Sequence, residues 1–519
     1  MGKLLGYDRI PEIKTLRQAI ARLSENNQAQ LWMGKLSHDW MHMNEELAGV
    51  LYADAHQEIY YGKKNKLPKK YVSRLQLAMR ATSDYWICDK LGQPFFSISK
   101  SISSGLIDTI KEDILPILEK DVPNQPSQEE LNADSFLHKF MLVYDREGYS
   151  VDFMTEMFEK RVSCCTYNKY IQEPWPIEEF TEQEVVNQYG EKEKIFLAER
   201  GVLMEGSKVD ELGTQDKGPI VYRNITKENH QKTNTEQSIV PEKENPKKTT
   251  SKPVKKTRCI WVREVRKLRA GGNQTSIITT NYKLTTLLIG LYMFARWNQE
   301  NYFKHMLKQF NLDMIISYFK EDISDTQLLV NPAYRNVNKQ INSCNAKLKN
   351  RQSSFGKLHY DQELNDNAFN RVTDKKEKLT QEITYLQSQL NDLKAIRKTT
   401  PIKIEYAQLP EDEKFKAVHN GRKQLVDCIK IVAARSEIAM SSIVREYMSN
   451  PKDARALIGQ FLKTNADLEV DNHANILYVK LHHQATVHED LILRKLCERL
   501  NETKTVFPRT EMVLQYCLV

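Results

Sequence analysis

Three acidic residues stand in settings where an uncompensated carboxylate is costly. Asp54 closes the apolar run GVLYAD, Asp145 closes FMLVYD, and Glu300 sits inside LYMFARWNQENYFKHMLKQF. A carboxylate at the end of a buried strand costs free energy unless a cation or hydrogen bonds compensate it. Two strand-end acids and one helical acid are a fitting set for a pair of divalent cations, because Mg²⁺ prefers carboxylate oxygens and keeps positions for waters and phosphates. Two ions about 3.5–4 Å apart serve the cutting and rejoining of phosphodiester bonds, one activating the attacking oxygen and the other stabilising the leaving one. The plainer alternative is that a lone strand-end aspartate caps a turn or a helix. That alternative is weaker at Asp54, where Asp-Ala-His carries no strong turn signal and the strand pattern continues.

Residues around these acids extend the pattern. His56 lies two positions after Asp54, on the same face of a continuing strand, within reach of a phosphate; an isolated histidine is as readily structural. Arg146 follows Asp145 and suits either a phosphate or a carboxylate partner. Tyr292, Arg296, Glu300, Lys304 and Lys308 recur every four residues and form a polar stripe on a helix. Leu284, Leu288, Leu291, Ala295, Tyr302, Met306 and Phe310 form an apolar stripe on another face. Trp297 is suited to stack on an unpaired base or to fill a core. Lys63, Lys64, Lys66, Lys69, Lys70 and Arg74 follow the Asp54 strand and suit sequence-independent contacts to a nucleic-acid backbone.

The elements that must position these groups read as an α/β pattern with a mixed sheet. GVLYAD is a strand, QEIYYG returns beside it, and YWICD–KLGQ–PFFSIS is a hairpin around a glycine turn. Leu106, Ile110, Ile114 and Ile117 mark a helix crossing to FMLVYD, and Ser150 caps the helix that follows. Residues 1–48 read as helical. Residues 206–256 lose hydrophobicity and gain Lys, Thr, Glu, Asn and Pro, the composition of a long disordered loop. Tyr334, Val337, Ile341, Cys344 and Leu348, then Leu379, Ile383, Leu386, Leu390 and Leu393, predict a helical hairpin over 332–398, in the manner of an antiparallel coiled coil. From 411 a long helix leads to a small β-α-β tail.

Bulk properties are those of a soluble multi-domain protein: 519 residues, 40% hydrophobic and 28% charged. No run reaches the roughly 18 apolar residues of a membrane span, and the start lacks an export signal. The net charge of +8 is concentrated in KKNKLPKK (63–70), NPKKTTSKPVKK (245–256) and REVRKLR (263–269), which suit a polyanion or a solvated face. Eight cysteines show no paired metal-binding spacing and read as reduced, buried thiols of a cytosolic protein.

The strings YADAHQEIYYGKKNKLPKKYVSR, TSDYWICDKLGQPFF, LVYDREGYSVDF and RWNQENYFKHM together resemble bacterial DDE transposases of the cut-and-paste insertion-sequence type. The likeness runs over most of the chain and is strongest over 45–160 and 258–320. It implies an RNase H-like catalytic core at 49–160 and 276–325, interrupted by a β-rich insertion at 161–275. An N-terminal helical segment (1–48), the hairpin (332–398) and a C-terminal α+β unit (405–519) surround this core. The family's three metal-binding acids fall on Asp54, Asp145 and Glu300, with Mg²⁺ or Mn²⁺ as cofactor. Its helix signature, Tyr-x2-Arg-x3-Glu-x6-Lys, is met at Arg296 and Glu300; Met293 and Leu307 hold the Tyr and Lys positions, with Tyr292 and Lys308 beside them. The resemblance implies cleavage and joining of double-stranded DNA at element ends, a homodimer on paired ends, and a cytoplasmic, nucleoid-associated protein with no membrane partner. Such proteins usually carry an additional N-terminal DNA-binding module, and only about 48 residues precede the core here. The alternatives are an inactive or truncated remnant acting as a DNA-binding protein, and a structure-selective nuclease on the same fold.

Overall fold

Every residue of Phe140–Tyr144 is apolar or aromatic and every one is buried, the signature of a strand covered on both faces. In the computed structural model this strand, β5, is an interior strand of an eleven-stranded mixed sheet. The structure describes residues 12–519 except 62–66, 73–74, 101–104, 172, 187–191, 211–214, 225–254, 311, 313–319, 322, 359–365, 412, 416 and 419.

Five strands precede or follow β5 in the core. They are β1 (Val50–Ile59), β2 (Lys69–Val72), β3 (Leu77–Cys88), β4 (Pro94–Lys100) and β6 (Val162–Tyr167). β1 runs parallel to β5 and antiparallel to β3, while β6 is parallel to β5 on its other side. The connection from β5 to β6 is the helix Val151–Glu159, whose N-terminus Ser150 caps by accepting from the Phe153 amide at 3.3 Å. The β3–β4 hairpin closes where the Asp89 carboxylate accepts from the Leu91 and Gln93 amides, both at 2.9 Å, and Gly92 takes φ +81°. That left-handed backbone favours glycine.

Beyond β6 the sheet continues through β7 (Thr181–Val186), β8 (Lys192–Asp210), β9 (Ile220–Asn224), β10 (Lys255–Leu268) and β11 (Gln274–Thr279). The order is β2-β3-β1-β5-β6-β11-β10-β8-β7, with β4 on β3 and β9 on β10. Three expectations change here. β1 runs unbroken through Gln57, Glu58 and Ile59, so QEIYYG is not a separate return strand. β6, placed with the insertion by sequence, pairs directly with β5. Residues 206–210, 220–224 and 255–256 form strand rather than loop, and 211–214 and 225–254 of the expected disordered loop lie outside the described residues. The REVRKLR run is not a solvated face either. Arg266 is buried, bound to Glu264 at 2.8 Å, and Arg263 pairs with Glu199 at 2.6 Å.

A 25-residue helix, Thr286–Phe310, lies against β1, β5, β6 and β11. Tyr302 and Met306 of the expected apolar stripe are buried in the main core and Leu284, Leu291, Ala295 and Phe310 pack against it, while Ile289 and Met293 widen the buried face. The helix Asn420–Arg445 packs on β4 and on the N-terminal helix Gln28–Met43. It begins later than the pattern from 411 predicts, because Ala417–Val418 pairs with Lys320–Glu321 instead. Helices Pro332–Gly356 and Asp366–Thr399 pack together through Val337, Ile341, Cys344, Leu348, Leu386, Leu390 and Leu393. The C-terminal unit has its own core, formed by helices Ala454–Phe461 and Val487–Glu502 over a three-stranded sheet. Among the described residues no helix is long and apolar enough to cross a membrane.

Candidate active site

Parallel register brings the two aspartates together. β1 and β5 are paired as far as Ala53 and Tyr144, so Asp54 and Asp145 occupy the next position on each strand. β5 and β6 are paired as far as Tyr144 and Thr166, which places Tyr167 beside Asp145 in turn. Asp54, Asp145 and Tyr167 therefore form a row at the carboxyl ends of the shared pairing, where α/β sheets commonly bind ligands. Asp54 itself is mid-strand, not strand-end: β1 continues along β3 to Ile59 while its pairing with β5 stops. After Asp145 the chain turns sharply, and Gly148 passes so close to the Tyr144 ring that a Cβ there would meet it at 2.5 Å.

The Thr286–Phe310 helix supplies the third acid. The Tyr52 hydroxyl donates to the Tyr292 carbonyl at 2.7 Å, and the buried Gln299 amide donates to the Tyr52 and Trp86 carbonyls at 3.4 Å. These contacts set the helix over β1 and β3. Tyr52→Phe removes one of them and is expected to lower stability by about 0.5–1.5 kcal/mol, measured by denaturant unfolding.

Arg296 then joins two of the acids, reaching Glu300 at 2.6 Å and Asp54 Oδ2 at 3.5 Å. Asp54 Oδ1 accepts from the Ala55 amide at 2.9 Å. Burial pushes the Asp54 carboxyl up to about 6; Arg296 opposes this, while Asp145 and Glu300 add to it. Burial works against the Arg296 charge, but Asp145, Asp54 and Glu300 outweigh it and raise its pKa. The electrostatic coupling thus spans all three acids and one arginine. Tyr167 is flanked by two guanidinium groups, Arg296 at 5.8 Å and Arg146 at 5.7 Å from the ring centre.

The other predicted residues are placed unevenly. His56 shares the Asp54 face of β1 but is buried, its ring stacked on Phe303 at 5.2 Å. Tyr292 is half-buried against the core. Met293 is buried with its sulfur 3.9 Å from that of Cys165, and Leu307 packs on the same core. Lys304, Lys308 and Lys69 are exposed. Lys70 is not a solvent-facing contact: it is buried and donates to Ser83 Oγ at 2.8 Å. Lys63, Lys64, Lys66 and Arg74, and the side chain of Trp297, lie outside the described residues.

A second acidic group escaped the sequence reading. Among the described residues, the acids whose oxygens lie within 4.8 Å of one another are Glu58, Asp84 and Asp427, not the predicted three. Glu58 and Asp84 lie on the same sheet face as Asp54, since His56 faces Asp84 across the β1–β3 ladder. Lys423 fills their centre, with Nζ 2.5 Å from Asp427, 2.7 Å from Asp84 and 3.2 Å from Glu58. An ammonium already occupies the cation's place, so the cluster is an ion-pair knot joining the Asn420–Arg445 helix to the sheet. The one local signal was the alternation Asp54, His56, Glu58, with Asp84 just before the apolar run Tyr85, Trp86, Ile87 and Cys88.

The fold and site define a mixed α/β protein with carboxylates gathered at the end of a parallel strand pairing beneath one helix. A family described as transposase protein matches residues 1–234 and 247–519. The chain belongs to that family, which supports a transposase function with DNA as substrate. No match is found among curated proteins.

Proposed function

We propose that the protein is a DDE transposase with an RNase H-like core, cutting double-stranded DNA at element ends and joining them to a target. The observation that carries this reading is the register that makes Asp54 and Asp145 neighbours, with Glu300 tied to Asp54 through Arg296. The donor set suits Mg²⁺ or Mn²⁺, being hard carboxylate oxygens, and the burial and repulsion that raise Asp54 are of the kind a bound cation offsets. Asp54, Asp145 and Glu300 would hold the metal, which when bound supplies Lewis-acid charge for phosphodiester chemistry. Arg296 orients Glu300 and offers its charge to the substrate phosphate, while Arg146, beside Tyr167, positions the backbone. The reaction begins with hydrolysis that frees a 3′-hydroxyl at the element end. That hydroxyl then attacks a target phosphodiester in line, so each bond broken in the target is replaced by one to the element. Paired ends call for a homodimer, acting in the cytoplasm on nucleoid DNA.

Strand transfer with pre-cleaved 3′-hydroxyl ends tests the joining step. Products longer than the input are expected. Cutting without any longer product would replace the transposase by a nuclease, and binding without either would make it a DNA-binding remnant.

A further inference from the structure

The Pro332–Gly356 helix carries five bases and no acid in 25 residues, whereas its partner in the hairpin, Asp366–Thr399, carries seven bases and five acids. Exposed helix surfaces ordinarily intersperse both signs; the second helix does so and the first does not. The first helix also sorts its side chains by face. Val337, Ile341, Cys344 and Leu348 pack on Leu386, Leu390 and Leu393 of the partner. At about 3.6 residues per turn, Lys339, Asn342, Ser343, Ala346, Asn350 and Ser353 fall on the opposite face, and all six are exposed. That face presents amides, hydroxyls, a methyl group and one ammonium, without an acid or a large apolar side chain. Lys347 and Lys349, also exposed, stand on its two shoulders.

These are the groups that read base edges in the major groove, where Asn pairs with adenine, Ser bonds to several bases and Ala meets the thymine methyl. A helix about 10–12 Å across fits a groove about 12 Å wide. Lysines on both shoulders suit the phosphates that bound the groove on either side. The partner helix lies on the far side, away from the groove. The start of the reading helix is anchored: the Asn331 side chain caps it by accepting from the Ala333 amide at 2.9 Å and donates to the Pro401 carbonyl at 3.0 Å. Precise readout needs such a rigid support.

We propose that the outward face of the Pro332–Gly356 helix enters the major groove of double-stranded DNA and reads its sequence, so that the hairpin is a recognition element for the DNA ends. Asn342 and Asn350 contact bases, and Lys347 and Lys349 hold the two flanking backbones. The inference rests on the DNA-processing reading for its partner but not on the three acids.

The test is selection by the full chain from a pool of random-sequence duplexes, followed by affinity measurements on the enriched duplex. The parent is expected to enrich a motif. Asn342→Ala and Asn350→Ala are each expected to bind the enriched duplex about 5- to 100-fold more weakly, the worth of one bidentate base contact, and to lose preference at one position of the motif. Alanine is the better helix former at both sites, so these losses do not come from unfolding. Lys347→Gln/Lys349→Gln is expected to weaken all duplexes alike and to reduce the slope of log K against log[salt] by about 1.8. A parent that enriches no motif, a motif unchanged in both asparagine variants, or an unchanged slope in the lysine variant overturns the proposal. The catalytic reading fails on a different result. Asp54→Asn that cleaves like the parent removes that reading and leaves the motif as it was, whereas an inert Asp54→Asn beside unchanged asparagine variants removes the helix alone.

Discussion

Asp54→Asn, Asp145→Asn and Glu300→Gln are each expected to lower metal-dependent DNA cleavage by about 10³-fold or more, while the proteins stay folded and bind DNA. The size follows from the charge stabilisation that a correctly held metal contributes, several kcal/mol, at about 1.4 kcal/mol per tenfold in rate. Retention of the fold follows from the site itself. The Asp54 carboxylate is desolvated and repelled by Asp145 and Glu300, so an amide relieves repulsion. Its oxygen still accepts from the Ala55 amide, as Asp54 Oδ1 does. Thermal unfolding should therefore show a midpoint at or above that of the parent for Asp54→Asn. Single-turnover cleavage of an end-containing duplex, with DNA binding measured in parallel, checks the rest. Cleavage near the parent rate in any one variant would remove that acid from the site, and in all three would end the assignment.

The parts of this site that were legible in sequence are those written in local pattern. The uninterrupted apolar run FMLVY identified a central strand, and the acid closing it was visible for the same reason. The helix bearing Glu300 was legible as a helix, and so was most of its inward face, but not the polar residue within that face. Gln299 is a polar residue on the buried side, held by the carbonyls of Tyr52 and Trp86, and a hydrophobic stripe drawn through leucines cannot anticipate it. The two sides of β1 explain the misplaced strand end. Its pairing with β5 ends at Ala53 while its pairing with β3 runs to Ile59, so the boundary that matters belongs to a pair of strands and not to one. The hairpin helices were readable because apolar residues recur on both, whereas Ala417–Val418 was read as helix because its partner Lys320–Glu321 is remote in sequence. The lysine that makes Glu58 and Asp84 tolerable was invisible for the same reason.

That lysine gives the largest expected effect on stability. Lys423→Met should destabilise the protein by about 3–5 kcal/mol, the cost of removing one partner from a buried ion pair. Its Nζ contacts three carboxylates that are themselves buried, so the methionine leaves acids without their cation and without solvent. The charge is not shared evenly. Burial raises Glu58 well above the ordinary range, Asp84 opposing its ionisation further. Asp84 is held below its usual value despite its burial, by Lys423 and by hydrogen bonds that include Glu58. Lys423 makes its two shortest contacts with Asp427 and Asp84, which makes these the groups that lose most when it is removed. Adding Asp84→Asn and Asp427→Asn to Lys423→Met should recover a large part of the loss, because the stranded charge, more than the lost contact, sets the cost. Denaturant unfolding of the single and triple variants measures both values. A single variant as stable as the parent would show that the knot contributes nothing net, and a triple variant no better than the single would mean that Lys423 acts through packing of its stem. In either case the Asn420–Arg445 helix would owe its position on the sheet to its apolar face against β4 and Gln28–Met43 rather than to this charge.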